Sequence, residues 1–468
     1  MTKRILCIIP ACLFLQISFA QQPAAKQKKQ LPIGVFDSGT GGLTVLQAML
    51  TLDAFNNETG LPGPDGKPDF DKEYYQYLAD QANMPYGNYA AENKTALLKE
   101  HVLKNMQFFM QPDYALQQKD SWLQKSKPEV KMIVIACNTA TAYALGDIKN
   151  YVAQQQKNIP VIGVIDAGTK AALEYQQAHA KGTIGVFATA GTVASEGYPR
   201  TIKAMAAKLN MPEPSVVSQG GVGLAESIDR DWSYFSDTLT RVRSEYKGPS
   251  VKNTSLHIEP SLGAAYHFNT EGNKLLCEFD GSGNCLDMQL NDPANYARYH
   301  LVTLCEKMLL QHYTQPMNTL ILGCTHYPYL KDTIAEVLNE LYNFQSDGTF
   351  RYRAVLAEHV ELIDPALETA KQAYVTMRSD NLQEDKPGKK ENMFFISVPN
   401  TSLPGVQLQT DGWFTYAYKY GRTEGANKDY VKYVPFDTKN ISAATYARFK
   451  MVLPDVYKKL QLEVKGIN

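Results

Sequence analysis

Cysteine is scarce in this chain, and the few present do not fall into the usual pairs. There are 7 in 468 residues, five of them beyond the first twenty, and none forms a Cys-x-x-Cys unit. That excludes a dithiol redox motif and the paired-thiol zinc sites. Histidine is equally sparse, with 8 residues and no His-Glu-x-x-His, so no metal site is predicted; Cys324 and His326 alone are too few ligands. No charge of one sign dominates: 47 Lys and Arg face 48 Asp and Glu, which leaves no global field for nucleic acid or an anionic membrane. Long hydrophobic runs are also missing after the amino terminus, so no membrane span is predicted.

The opening MTKRILCIIPACLFLQISFA has a basic start, a short apolar stretch and small residues at Ser18 and Ala20. This is the pattern of a cleavable signal peptide over residues 1–20, followed by a polar linker at 21–31. Acylation at Cys12 is disfavoured by Pro10 and the apolar residues after it. The predicted location is exported, periplasmic or secreted.

Short Val/Ile-rich runs alternate with amphipathic stretches, the mark of parallel strands joined by crossover helices. The clearest runs are PIGVF (32–36), MIVIA (132–136), VIGVI (161–165), TIGVF (183–187) and LILG (320–323). Each ends in small or hydroxylated residues, and open α/β folds bind ligands at the carboxyl ends of such strands. Between these units, 56–73 reads as a Gly/Pro-rich loop, 229–300 as an insertion and 379–392 as a charged loop. In the last stretch, WFTYAYKY and DYVKYVPFD read as a half-exposed β layer in preference to a partner or glycan surface. CEFDGSGNC reads as a surface hairpin closed by a Cys277–Cys285 disulfide. Cys305, in a helical pattern, reads as a buried small hydrophobe.

Two cysteines stand at strand ends. KMIVIACNTATAYAL (131–145) and LILGCTHYPYL (320–330) share one plan: apolar strand, small residue, cysteine, then hydrogen-bonding side chains. A structural thiol has no need of Asn138 and Thr139, or of Thr325 and His326, beside it. Cys137 and Cys324 therefore read as a pseudo-symmetric pair facing one cleft. FDSGTGG (36–42) adds an amide-rich loop at a helix start, without the Gly-Lys-Ser/Thr of a nucleotide loop, and FATAGTVAS (187–195) adds Thr189 and Thr192. Hydroxyls and amides with almost no lysine or arginine suit a small carboxylate. Two thiols on opposite faces of a small acid point to proton transfer, with Asp37 and His326 placed to tune them.

Taken together, IGVFDSGTGGLTVL, ADQANMPYGN, IACNTATA, IGVFATAGT and LGCTHYP resemble glutamate racemase, of the cofactor-independent aspartate/glutamate racemase superfamily. The resembling blocks cover about half of the chain beyond the signal segment and fade near VELIDPALETA (360–370) and MFFISV (393–398). The resemblance implies two pseudo-symmetric parallel-sheet α/β domains with the active site between them: residues 32–162 and 346–468 as one domain, 163–345 as the other. It implies no cofactor, an amino-acid substrate and a possible homodimer. By motif, Cys137 would deprotonate the D-enantiomer with Asp37 assisting, and Cys324 the L-enantiomer with His326 assisting. Asp37, Ser38, Pro85, Tyr86, Gly87, Asn138, Thr139, Thr189, Thr192 and Thr325 would hold the substrate. The family's glutamate partner of the second-side histidine falls in GGVGLAESID (220–229), where Glu226 or Asp229 could fill that place.

There are departures from the family pattern. Asp166-Ala167-Gly168 replaces the usual Glu-Pro-Gly, and the insertions and carboxyl-terminal extension are additional. Pro-Tyr-Gly and Cys-Thr-His point to glutamate, since aspartate racemases typically carry Cys-Thr-Glu. Racemases of aspartate or other amino acids, and a binding protein without turnover, are the competing readings. Glutamate racemases normally serve peptidoglycan synthesis inside the cell, so an exported copy suggests processing of free amino acids outside the cytoplasm.

Overall fold

The computed structural model describes residues 28–118, 121–386, 391–426, 428–436 and 440–464. The predicted signal peptide and most of the linker at 21–31 lie outside the described residues. The strands of the two main sheets are β1 (Ile33–Asp37), β2 (Tyr75–Ala79), β3 (Met132–Ile135), β4 (Val161–Gly163), β5 (Thr183–Ala188), β6 (Val216–Gly220), β7 (Met317–Gly323), β8 (Leu356–Ile363), β9 (Met393–Pro399) and β10 (Val431–Pro435). One sheet has the order β10-β9-β2-β1-β3-β4 and the other β8-β7-β5-β6. Every pairing within them is parallel except the edge pair β9–β10. Helices cover both faces, and so β1, β2, β3, β5 and β7 are buried at every position.

The helices that matter for the cleft are α1 (Leu43–Thr51), α2 (Asn138–Gln154), α3 (Val164–Ala178), α4 (Gly197–Lys208), α5 (Leu224–Ile228), α6 (Pro365–Ser379), α7 (Tyr416–Gly421), α8 (Ala443–Val452) and α9 (Pro454–Val464). The chain crosses between the sheets twice, entering α3 after β4 and entering α6 after β8. These crossings pack on each other: a side chain at Gly168 would lie 3.1 Å from Pro365 Cγ. Gly168 of the altered Asp-Ala-Gly segment therefore sits at the junction of the two halves.

Three sequence expectations need correction. The run 161–165 is not all strand, because Val164 and Ile165 open α3 and bury in the second domain's core. A five-residue apolar run has no period that separates strand from helix. The second domain extends past 345, since β8 pairs with β7, and the return to the first domain falls at Asp364. WFTYAYKY is not a β layer: its Tyr416–Tyr420 part is α7, capped by the Thr415 hydroxyl. DYVKYVPFD supplies the edge strand β10. Cys277 and Cys285 are joined in a disulfide across the hairpin Leu275–Phe279 and Cys285–Leu290, and Cys305 is a fully buried thiol.

The foot of β3 is set by a buried ion pair, Lys131 Nζ to Glu73 Oε2 at 2.5 Å, with a second bond from Lys131 Nζ to the Lys29 carbonyl at 2.8 Å. Breaking one side of a buried pair strands the other charge. Glu73→Gln should therefore lower unfolding stability by roughly 3–5 kcal/mol, read from urea melts. A change under ~1 kcal/mol would show that Lys131 is held by other groups.

Candidate active site

The carboxyl ends of both sheets open onto one cleft of about 1000 Å³. Each predicted site residue lines it: Asp37, Ser38, Pro85, Tyr86, Gly87, Cys137, Asn138 and Thr139 from the first domain, and Thr189, Thr192, Glu226, Cys324, Thr325 and His326 from the second.

On the first side, Cys137 is the N-cap of α2, and its Sγ accepts the Ala140 N–H at 3.4 Å. A helix start favours negative charge there. The Cys137 thiol also reaches Ser38 Oγ at 3.5 Å and shares its end of the cleft with Asp37. The Asp37 carboxylate accepts the Gly42 N–H at 2.9 Å and the Gly39 N–H at 3.2 Å. Glycine is needed at 42 because a side chain there would come within 2.5 Å of Asp37 Cβ and 2.8 Å of Ala136 Cβ. Burial pushes the Asp37 carboxyl up, against the lowering effect of these N–H groups. Burial, followed by the Asp37 charge, pushes the Cys137 thiol up to about 12.

The second side is built around an imidazole. His326 Nδ1 lies 3.8 Å from Cys324 Sγ and 3.5 Å from Thr325 Oγ1, while Nε2 lies 3.1 Å from Asp229 Oδ1. The histidine thus links a thiol to a carboxylate. Burial alone would lower its pKa, but the Cys324 sulfur, then Glu226 and Asp37, outweigh burial and raise it. The sequence left Glu226 and Asp229 open as the partner; the ion pair at Nε2 is with Asp229. Glu226 lies in the first turn of α5 and Asp229 is that helix's C-cap, so only Asp229 is directed to Nε2. Asp229 is also paired with Arg448.

The two sides approach each other at Gly41, where a side chain would stand 2.8 Å from Thr325 Oγ1 and 3.6 Å from Asp37 Oδ2. Not every lining residue offers its polar atom to the cleft. The Tyr86 hydroxyl turns away to donate to Asp80 Oδ2 at 2.5 Å, and the Thr189 hydroxyl bonds Thr192 Oγ1 at 3.0 Å. Asn138 Oδ1 accepts from Tyr198 of α4, at 2.9 Å across the domain boundary. Cys137 and Cys324 are free thiols, and no His/Cys/Asp/Glu group among the described residues could hold a metal.

No family model matches this chain. Curated relatives match it along most of its length. It is 28% identical over 366 residues to a glutamate racemase of Levilactobacillus brevis, covering 78% of this chain and 86% of the relative. A glutamate racemase of Trichodesmium erythraeum is 25% identical over 387 residues, covering 83% of this chain and 94% of the relative. The curated proteins to which this chain is similar over most of its length are glutamate racemases. A solved glutamate racemase isoform from Bacillus anthracis is 22% identical, with a TM-score of 0.46, covering 79% of this chain and 89% of that one.

Compared with the racemase-like blocks of the sequence, the cleft gains Arg448, and its lining residue Asn138 gains Tyr198 as a hydrogen-bond donor. Tyr198 lies in α4, outside any strand-end block, and Arg448 lies in the carboxyl-terminal extension. Neither carried a local signal; Asp229 was visible only as the alternative to Glu226.

The high position of the Cys137 thiol has a direct consequence. At pH 8 only about one thiol in ten thousand would be ionised. Iodoacetamide labelling at Cys137, followed by peptide mass spectrometry, should accelerate about tenfold per pH unit between pH 7 and 10. Asp37→Asn should speed labelling at fixed pH, because it removes a negative neighbour. A plateau below pH 9 would contradict the assignment.

Proposed function

We propose that the protein is a cofactor-independent amino-acid racemase that interconverts L- and D-glutamate by proton transfer at Cα between Cys137 and Cys324. The observation that carries this reading is the placement of the two free thiols at the carboxyl ends of β3 and β7, on opposite domains of one cleft. The curated relatives support the choice of glutamate.

In this scheme one thiolate removes the Cα proton from one face. The electron pair is held in the carbanion conjugated with the substrate carboxylate, and the opposite thiol returns a proton to the other face. Each thiol ends in the state in which its partner began, so the next turnover runs in reverse or follows re-equilibration with water. Asp37, raised by burial, is placed to accept the Cys137 proton. His326 is placed to do the same for Cys324, with Asp229 stabilising the imidazolium that results. Backbone N–H groups at helix starts and the hydroxyls of Ser38, Thr139 and Thr325 are available for the substrate carboxylates.

The deciding experiment is a chiral assay of the reduced protein in D2O with L- and D-glutamate, aspartate and a wider amino-acid panel. Conversion of glutamate with deuterium at Cα of the product is the expected result. Binding without conversion or exchange would favour a non-catalytic binding protein, and faster turnover of another amino acid would reassign the substrate. Cys137→Ser and Cys324→Ser should each cut racemisation by at least a thousandfold, since a serine hydroxyl is a far weaker base at neutral pH. Full activity in either variant would remove the two-thiol scheme.

We further propose that the protein acts outside the cytoplasm. The signal-like residues 1–20 and the Cys277–Cys285 disulfide support this. Fractionation should find the processed chain outside the cytoplasm; an unprocessed cytosolic product would refute export.

A further inference from the structure

The carboxyl-terminal extension reaches the cleft through one side chain. Arg448 is the only lysine or arginine among the described residues that line it, against Asp37, Glu226, Asp229 and Asp231. Its guanidinium is paired with Asp229 Oδ1, the same oxygen that faces His326 Nε2. Arg448 is 26% exposed and burial lowers its pKa, so it is not a freely solvated surface charge.

The delivery of Arg448 is built into the first domain. Phe449 of α8, Leu453 between the two helices, and Val456 and Leu460 of α9 bury in the core that includes Leu43 and Met49 of α1. The Gln47 amide fixes the start of α9: Nε2 donates to Asp455 Oδ2 at 2.9 Å, and Oε1 accepts the N–H groups of Asp455 and Val456 at 3.1 Å. Helix α1 in turn begins directly after the Asp37 loop. Arg448 therefore moves with the Cys137 side of the cleft and grips a carboxylate on the Cys324 side.

We propose that Arg448 is a positioning residue: by sharing Asp229 with His326 it sets how strongly that carboxylate holds the imidazole beside Cys324, and it ties the carboxyl-terminal extension across the cleft. This builds on the proposed racemase reading but does not require turnover to be tested. The groups facing His326 are Cys324, Thr325 and Tyr329 from its own segment, Glu226 and Asp229 from α5, Asp37 from the first domain, and Arg448 through Asp229. If Arg448 is removed, Asp229 acts on His326 undivided, and the imidazolium is favoured.

The test is NMR titration of the His326 imidazole in the full protein, assigned by its loss in His326→Asn. Arg448→Ala should raise the His326 midpoint by about one pH unit, and Arg448→Lys, which keeps the charge, by less than about a third of that. Asp229→Asn should lower it. In the Asp229→Asn background, Arg448→Ala should move it by less than about a third of its effect in the parent, because the shared carboxylate is gone. If the parent racemises glutamate, the corresponding limb of its kcat/KM profile should shift the same way. An unmoved midpoint in Arg448→Ala, or an equal shift with and without Asp229, would overturn the proposal. A rise in glutamate KM with no shift would instead make Arg448 a direct substrate contact, and would also overturn it. Absence of turnover in the parent protein bears on the racemase reading alone, since the titration stands without it.

Discussion

The contact on which the cleft depends is the approach of the Gly41 backbone to Thr325. Two parallel sheets each present their carboxyl ends to the space between them, but a binding site forms only if the two sets of loops come within reach of one small molecule. At Gly41 the separation leaves no room for a methyl group. The same loop carries Asp37 and Ser38 on one flank and meets Thr325 and His326 on the other. One backbone segment thus sets the spacing of both thiol-bearing sides.

Similar strand ends do not make the two sides chemically alike. Cys137 shares its surroundings with Asp37, and two groups that both become anionic on losing a proton oppose each other's ionisation in a buried site. The first side therefore retains a proton on one of the pair. Cys324 instead faces an imidazole backed by a carboxylate, an arrangement in which thiolate and imidazolium support each other. Within the proposed exchange, the two thiols therefore pass their protons to unlike partners, a carboxyl on one side and an imidazole on the other. A substrate ammonium group entering the cleft would shift this balance further, because it places a positive charge among Asp37, Glu226 and Asp229.

Much of this was legible in the sequence because parallel strands buried on both faces read as unbroken apolar runs. Where each run stops, the next few residues are the ones at the sheet's edge. That rule located Asp37, Cys137, Thr189 and Cys324 without coordinates. It failed where direction around a helix decides the outcome: Glu226 and Asp229 are three residues apart on and just beyond α5, and the pattern there does not say which side chain meets His326. It failed again where strand and helix look alike over a few apolar residues, as at Val164 and Ile165. Arg448 was out of reach altogether, since its place depends on how α8 and α9 dock onto α1, a contact between segments some four hundred residues apart.

The extension is not a passive addition, because it supplies partners for backbone that the cleft would otherwise leave bare. The Met84–Pro85–Tyr86 segment turns its chain into the cleft, and its carbonyls need donors once water is excluded. Lys419 Nζ donates to the Met84 carbonyl, and the Tyr420 hydroxyl donates to the Pro85 carbonyl at 3.1 Å, both from α7. Farther along the same extension, α8 brings Arg448 to Asp229. The added residues therefore touch one wall of the cleft through neutral backbone and the opposite wall through charge. An insertion that served only solubility would have no reason to meet both walls; one that fixes their separation would meet them in this way.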